Sequence, residues 1–368
     1  MGGNAIPNAR RIDKQEYHQI IIEIIQLFPE LRMIPTRTVK DKEDFGDIDF
    51  IVETDPKINI KNLVVDRLNN PQVNDNNIYY SFEYKNIQID FNFVSPNDYM
   101  TAYWFHGNAD FGNLCGRLAR SINFKFGTDG LSYVFRVNDD LNYRHDIIIS
   151  KDIKEILTFL DINHNKFIEG FDSSQEVFDI IMKSKLFNPT YFIFDNLNHN
   201  DRTRNRKRKM YHEFLTCANG IQPRPKLTTE ERLDYLNDAI KFFYNGEYLK
   251  NQITFLEEQH IKNNEIKKYF NGDLVREKTG IEGKELGNLI SLLKTIMNIH
   301  YDLDTFILMH KENLWDELGK YILSARYSFG SNPPSDAIKI FEHDNEELYY
   351  HDKQLYRKFA PTYTDMVI

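Results

Sequence analysis

The stretch Phe45-Gly46-Asp47-Ile48-Asp49-Phe50-Ile51-Val52 constrains the fold of this chain more than any other. It threads two carboxylates, two positions apart, through an apolar run. Ile, Phe and Val favour strand, and successive side chains along a strand leave opposite faces. Asp47 and Asp49 therefore share one face, while Ile48, Phe50 and Val52 share the other. Gly46 lets the backbone bend or lets a neighbour approach closely. A second run, Ile87-Gln88-Ile89-Asp90-Phe91-Asn92-Phe93-Val94, alternates in the same way, with Asp90, Gln88 and Asn92 opposite its apolar face. If the two strands are neighbours, three carboxylates converge on one patch.

An isolated Asp-x-Asp is ordinarily a solvated strand edge or turn. Here a glycine precedes the pair and a third acid lies on another apolar strand, which favours a site. Acids side by side on a rigid strand repel, and a hard divalent cation with oxygen ligands offsets that cost. Two-metal phosphoryl-transfer centres use this arrangement, with carboxylates holding two ions about 3.5–4 Å apart. The spacing of a calcium-binding helix-loop-helix (acids at alternate positions, then Gly and a late Glu) is absent from these runs.

At 368 residues the chain exceeds one typical domain. Its 41% hydrophobic content suits packed cores rather than a disordered chain. No run approaches the roughly 18 apolar residues of a membrane helix. Two cysteines, Cys115 and Cys217, argue against disulfides and a Cys-rich metal site. Met1 to Pro7 lacks a charged-then-apolar leader pattern. A cytoplasmic protein is expected (host cytoplasm or virion, if the chain is viral), with no membrane partner. The net charge of −9 argues against wholesale coating of nucleic acid, so local asymmetry matters more. Arg202, Arg204, Arg206, Lys207, Arg208 and Lys209 cluster against one acid, Asp201. Basic runs are commonly solvated helix faces, but this one is dense enough to be a candidate for phosphate contact.

Periodicity gives an α+β chain: a head over 1–150 with a mixed β-sheet and flanking helices, then an all-α remainder. A helix is expected from about Asp13 to Phe28, with Tyr17, Ile20, Ile21, Ile24, Ile25 and Phe28 on one face. Further elements are a short helix from Ile60 to Leu68 and a hairpin of Ile78–Tyr84 with Ile87–Val94 across Lys85-Asn86. The segment Phe111-Gly112-Asn113-Leu114-Cys115-Gly116-Arg117-Leu118-Ala119-Arg120 puts two arginines on one helix face. Its glycine-led start suits an anion, although a buried helix whose arginines pair with surface acids fits equally well. Beyond residue 150 the pattern is helical, with a neck over 151–222 containing the basic helix, a body over 223–325 and a tail over 326–368. Thr228-Thr229-Glu230-Glu231 has capping-box spacing.

These residues resemble the polymerase-β-like nucleotidyltransferase superfamily, whose mark is a Gly-Gly or Gly-Ser, then Asp-x-Asp on one strand, then a third acid on a later strand. Asp47, Asp49 and Asp90 match the acids. Gly2-Gly3 match the glycine element in type, although that element here lies far ahead of the acids rather than shortly before them. Gly272-Asp273-Leu274, Gly280, Gly283 and Leu286-Gly287 look like a pattern in the helical bodies of CCA-adding enzymes and poly(A) polymerases. The resemblance implies a catalytic head over 1–150 and an RNA-binding body over 223–325. The activity it implies is template-independent addition of AMP or CMP from a nucleoside triphosphate, ATP foremost, to an RNA 3′ end such as that of tRNA. It also implies two Mg2+ ions, with Mn2+ as an alternative, held by Asp47, Asp49 and Asp90. Gly2, Gly3, Asn4 and Lys42 would contact the triphosphate, with Asn113, Arg117 and Arg120 near the base, ribose or phosphates. Arg202 to Lys209 would track the RNA backbone, giving salt-sensitive binding. Alternatives are a nucleotidyltransferase acting on a protein or small molecule, an inactive RNA-binding subunit of this fold, and a two-metal nuclease.

Overall fold

In the computed structural model, which describes residues 5–75, 79–137, 143–280, 282–284, 286–287, 290–291 and 302–318, strands dominate the first 150 positions. The order is β1 (Ile12–Asp13), α1 (Lys14–Leu27), β2 (Met33–Pro35), β3 (Asp44–Phe45), β4 (Asp47–Glu53), α2 (Ile60–Arg67), β5 (Val73–Asp75), β6 (Tyr79–Tyr84) and β7 (Ile87–Val94). Next come α3 (Tyr99–His106), α4 (Phe111–Ser121), β8 (Phe124–Gly127), β9 (Gly130–Arg136) and β10 (Arg144–Ser150). Helices follow: α5 (Ile153–Phe159), α6 (His164–Glu169), α7 (Ser174–Lys183), α8 (His199–Asn205), α9 (Lys209–Ala218), α10 (Thr229–Phe242), α11 (Gly246–Tyr269), α12 (Gly272–Thr279) and α13 (Leu303–Met309). No described helix is long and apolar enough to cross a membrane.

Five strands form a mixed sheet in the order β2-β4-β7-β6-β5. β4 and β7 run parallel, with Asp49 opposite Asp90 and Phe50 opposite Phe91. The other pairings in this sheet are antiparallel. The expected hairpin turns on Lys85 and Asn86, whose φ values of 53° and 59° are the signature of a type I′ turn. Pro35 sits on the edge strand β2, where a missing N–H breaks no central ladder. A three-stranded antiparallel sheet, β10-β9-β8, and the pair β1-β3 complete the strands.

The apolar faces of β4 and β7 enter one core with α1 and α2, in which Ile24, Phe28, Ile48, Phe50, Val64, Ile89 and Phe91 are fully buried. Phe91 is its centre, with ring centroids 4.9 Å from Phe82, 5.7 Å from Phe28 and 5.9 Å from Phe50, each edge-on. α1 begins at Asp13, whose carboxylate accepts the Glu16 backbone N–H at 2.9 Å. The buried stripe on α1 is narrower than expected: Tyr17, Ile20, Ile24 and Phe28 are buried, whereas Ile25 is 41% exposed. Ile25 lies one helical step (100°) away from Ile24 and so leaves the stripe.

The basic segment does not form one helix. α8 ends at Asn205 and α9 begins at Lys209, with Arg208 extended at φ −85° and ψ 100° between them. A continuous helix would crowd six cations. The break lets Arg208 pair with Asp110 and leaves Asn205 fully buried. Downstream, Thr228 and Glu231 make both bonds of the expected capping box. α11 runs unbroken for 24 residues.

The chain divides into two compact units, Met1–Thr254 and Phe255–Ile368, so residues 151–222 belong with the sheet-bearing unit. The second unit has its own core around Phe270, Val275, Phe306, Ile307, Leu314 and Leu318. The glycine-bearing segment there serves local geometry. Asn271 accepts the Leu274 N–H at 2.9 Å to start α12, and Gly280, at φ 71°, ends it. α13 stops at Met309, a turn covers 310–313 and helix resumes at 314–318. The tail expected over 326–368 lies outside the described residues.

Truncating the centre of the first core should be costly. Phe91→Ala is expected to lower stability by about 3–5 kcal/mol, read as a lowered denaturant midpoint.

Candidate active site

The face of the five-stranded sheet opposite that core carries the acids. Asp49 and Asp90 are direct partners on β4 and β7, and Ser81 of β6 is the direct partner of Asp90 on the other side. Adjacent strands lie about 4.8 Å apart, so the row Asp49–Asp90–Ser81 is contiguous. Asp47, two residues before Asp49, faces the same way and lies opposite Gln88. The structure therefore brings Asp47, Asp49 and Asp90 together.

Two amides steady this row. Gln88 Oε1 accepts the backbone N–H groups of Ala5 (2.8 Å) and Ile6 (3.1 Å), which fixes which end of its amide faces the acid. Its Nε2 donates to both oxygens of Asp90, at 3.0 and 2.8 Å. Asn92 Nδ2 donates to Asp49 at 3.4 Å and to the Phe50 carbonyl at 3.2 Å. Asn92 Oδ1 is buried without a hydrogen-bond partner.

The electrostatics are those of an under-neutralised anionic cluster. Burial, then the charges of Asp47 and Asp90, raises the Asp49 pKa to about 8. Burial, reinforced by Asp47 against hydrogen bonds from Ser81 and Gln88, raises that of Asp90 to about 6. Tyr17, beneath the acids, is pushed up by burial and by Asp49 and Asp47. Lys42, whose ammonium lies 4.5 Å from the Phe45 ring centroid, feels both Asp47 and Asp49, yet burial holds its pKa below the usual lysine value. The donors are all oxygens, which is the chemistry a hard divalent cation needs. As the side chains stand, no set of three or more Asp, Glu, His or Cys groups among the described residues forms a ready metal cage. Gln88 occupies both oxygens of Asp90, so a metal there would require that amide to yield one of them.

A cleft of about 610 Å3 adjoins the acids, lined among others by Tyr79, His106, Lys125, Arg204 and Arg208. Tyr79 links the two regions, since it senses Arg204 and Arg208 as well as Asp49 and Asp90. Its ring stands edge-on to His106, centroids 6.4 Å apart. Burial, together with Arg204 and Arg208, lowers the His106 pKa to about 4, so the imidazole is neutral at physiological pH.

The remaining expected residues take different places. Gly2, Gly3 and Asn4 lie outside the described residues. Asn113 donates to Asn205 at 2.9 Å, joining α4 to α8. Arg117 is buried and pairs with the equally buried Asp201 at 2.7 Å, and Arg120 joins the same carboxylate. Arg202 bonds the Asp195 carbonyl, and Lys209 pairs with Glu213 along its own helix. Arg206 and Lys207 are exposed in the break between α8 and α9. Of the basic segment, Arg204 and Arg208 line the cleft by the acids. Ser81, Tyr79 and His106 had no signal of their own in the sequence. Gln88 and Asn92 were legible as face-mates of Asp90. No family model matches this chain, and no curated protein matches it.

An acid whose pKa is raised by folding makes the native state bind protons more tightly, so stability falls as pH rises through the shifted range. Without divalent metal, stability is expected to fall between about pH 4 and pH 8. Asp49→Asn should recover on the order of 1–2 kcal/mol at the alkaline end, from about 1.4 kcal/mol for each tenfold gain in proton affinity on folding, discounted for solvent screening. Urea midpoints across that range, in chelator, check both.

Proposed function

We propose that this chain is a nucleotidyltransferase of the polymerase-β-like kind. On this reading it moves a nucleoside monophosphate from a nucleoside triphosphate to an RNA 3′ hydroxyl, as CCA-adding enzymes and poly(A) polymerases do. The observation that carries the reading is the in-register pairing of Asp49 with Asp90 on parallel neighbours, with Asp47 on the same face. Three acids with upward-shifted or mutually repelling charges on one rigid sheet face are maintained against an electrostatic cost that a structural role does not require.

Asp47, Asp49 and Asp90 would hold two Mg2+ ions. Bound there, such ions make a hydroxyl more acidic and offset the charge of the leaving pyrophosphate. The chain's own groups do the rest. Gln88 and Asn92 hold Asp90 and Asp49 in fixed rotamers. Lys42 adds positive charge beside Asp47 and Asp49, suited to a phosphate oxygen. In the adjoining cleft Arg204, Arg208 and Lys125 suit a polyanion, and Tyr79 and the neutral His106 give a base a surface to stack on.

The test is incubation with labelled ATP or CTP, Mg2+ and an RNA primer, resolved on a gel. A ladder is expected for poly(A)-type addition and a short fixed extension for CCA-type addition. No extension of any RNA, with label instead on a protein or small molecule, would overturn the RNA assignment. Asp47→Ala and Asp49→Ala should each lower the rate by about a thousandfold, equivalent to roughly 4 kcal/mol of lost transition-state stabilisation. Their circular dichroism should be unchanged, and full activity in either would remove the site from consideration.

A further inference from the structure

A second cleft, of about 740 Å3, lies on the far side of Arg120 and Lys125, which line both clefts. Its walls come from the three-stranded sheet, from α8 and from the first turn of α10. Lys125 of β8, Arg136 at the end of β9, Arg144 at the start of β10 and Arg232 of α10 all line it. The nearest acids are already engaged: Asp201 with Arg117 and Arg120, and Asp146 with Lys125 and Arg144. Among the described residues Arg136 and Arg232 form no ion pair, and Arg232 Nε is buried without a hydrogen-bond partner. A cleft lined by guanidinium groups suits phosphate oxygens, which accept such donors bidentately.

We infer that this cleft carries the phosphodiester backbone of a single-stranded acceptor, upstream of the 3′ end that reaches the acids. The inference rests on the nucleotidyltransferase reading and extends it to a surface that neither the acid motif nor the basic 202–209 segment marks. Three features favour a strand over a separate small anion. The two clefts share a wall of Arg120 and Lys125, each ion-paired, and cations without an ion pair among the described residues flank it on both sides, Arg204 in the first cleft and Arg136 and Arg232 in the second. A triphosphate seated at the acids fills only the first. The chain as a whole carries net charge −9, so a continuous basic path is a local exception. Open, cationic grooves of this kind track single strands without reading sequence.

The test uses Arg136→Ala/Arg232→Ala in the full chain, with folding checked by circular dichroism, and a fluorescent single-stranded oligoadenylate titrated at several salt concentrations. The double variant should bind the strand about tenfold more weakly. The slope of its log affinity against log salt should become shallower by about 0.7 for each phosphate that is no longer neutralised. Its affinity for Mg-ATP alone should stay at the wild-type value. Equal strand affinity and slope in variant and wild type would overturn the inference, as would no strand binding by the wild type. A weakening confined to ATP binding would also overturn it, because the cleft would then take a free nucleotide. Wild-type strand binding that depends on Arg136 and Arg232 but comes with no nucleotide transfer would sink the enzyme reading and leave the cleft assignment standing.

Discussion

The parallel pairing of β4 with β7 sets both the core and the acidic face, because the two cannot be adjusted separately. Ile48, Phe50, Val52, Ile89 and Phe91 leave these strands on one side and are fully buried. Asp47, Asp49 and Asp90 leave on the other. Burying each large apolar side chain stabilises by about 1.5–3 kcal/mol. A one-residue slip of either strand would turn that strand's apolar side chains to the acids' face. The hydrophobic face therefore enforces a register in which two carboxylates stand opposite each other, and the repulsion between them is too small to shift it.

That repulsion shapes the surroundings. Asp49 and Asp90 are held above the ordinary carboxylate range first by burial and then by the neighbouring acids. The described groups nearest to them are mostly neutral donors, Gln88, Asn92 and Ser81, which orient the carboxylates without cancelling their charge. Lys42 is the nearby cation, and its own pKa is lowered by burial. A face left this negative attracts cations and repels a triphosphate, so an anionic substrate could settle there only with its charge offset by something brought along.

The acid pattern and the hairpin were legible because they are local: period-two alternation fixes faces, and Lys85-Asn86 fixes the turn and hence the register of Ser81 against Asp90. Capping was legible for the same reason at Thr228. What depended on distant segments was not. Nothing near Arg117 in the sequence reveals that its partner is Asp201, and nothing near Arg208 reveals Asp110. Tyr79 and His106 meet only because β6 and the end of α3 are brought together by the fold. The basic segment read as one helix because composition shows charge density, whereas the competing demands of Asp110 and a buried Asn205 that split it are tertiary.

That split also sorts the cations by role. Arg117, 7% exposed, is locked to Asp201, and removing either would strand a buried charge, so this pair fixes α4 against α8. The same carboxylate takes Arg120 on its more exposed side, where Arg120 forms part of the wall between the two clefts. Arg208, anchored by Asp110, and Arg204, with no ion pair among the described residues, face the cleft by the acids. One buried aspartate thus organises a rigid positive border along one side of the anionic sheet face. Arg204, Arg208 and the sheet acids thus border one region, with Tyr79 within reach of both signs of charge.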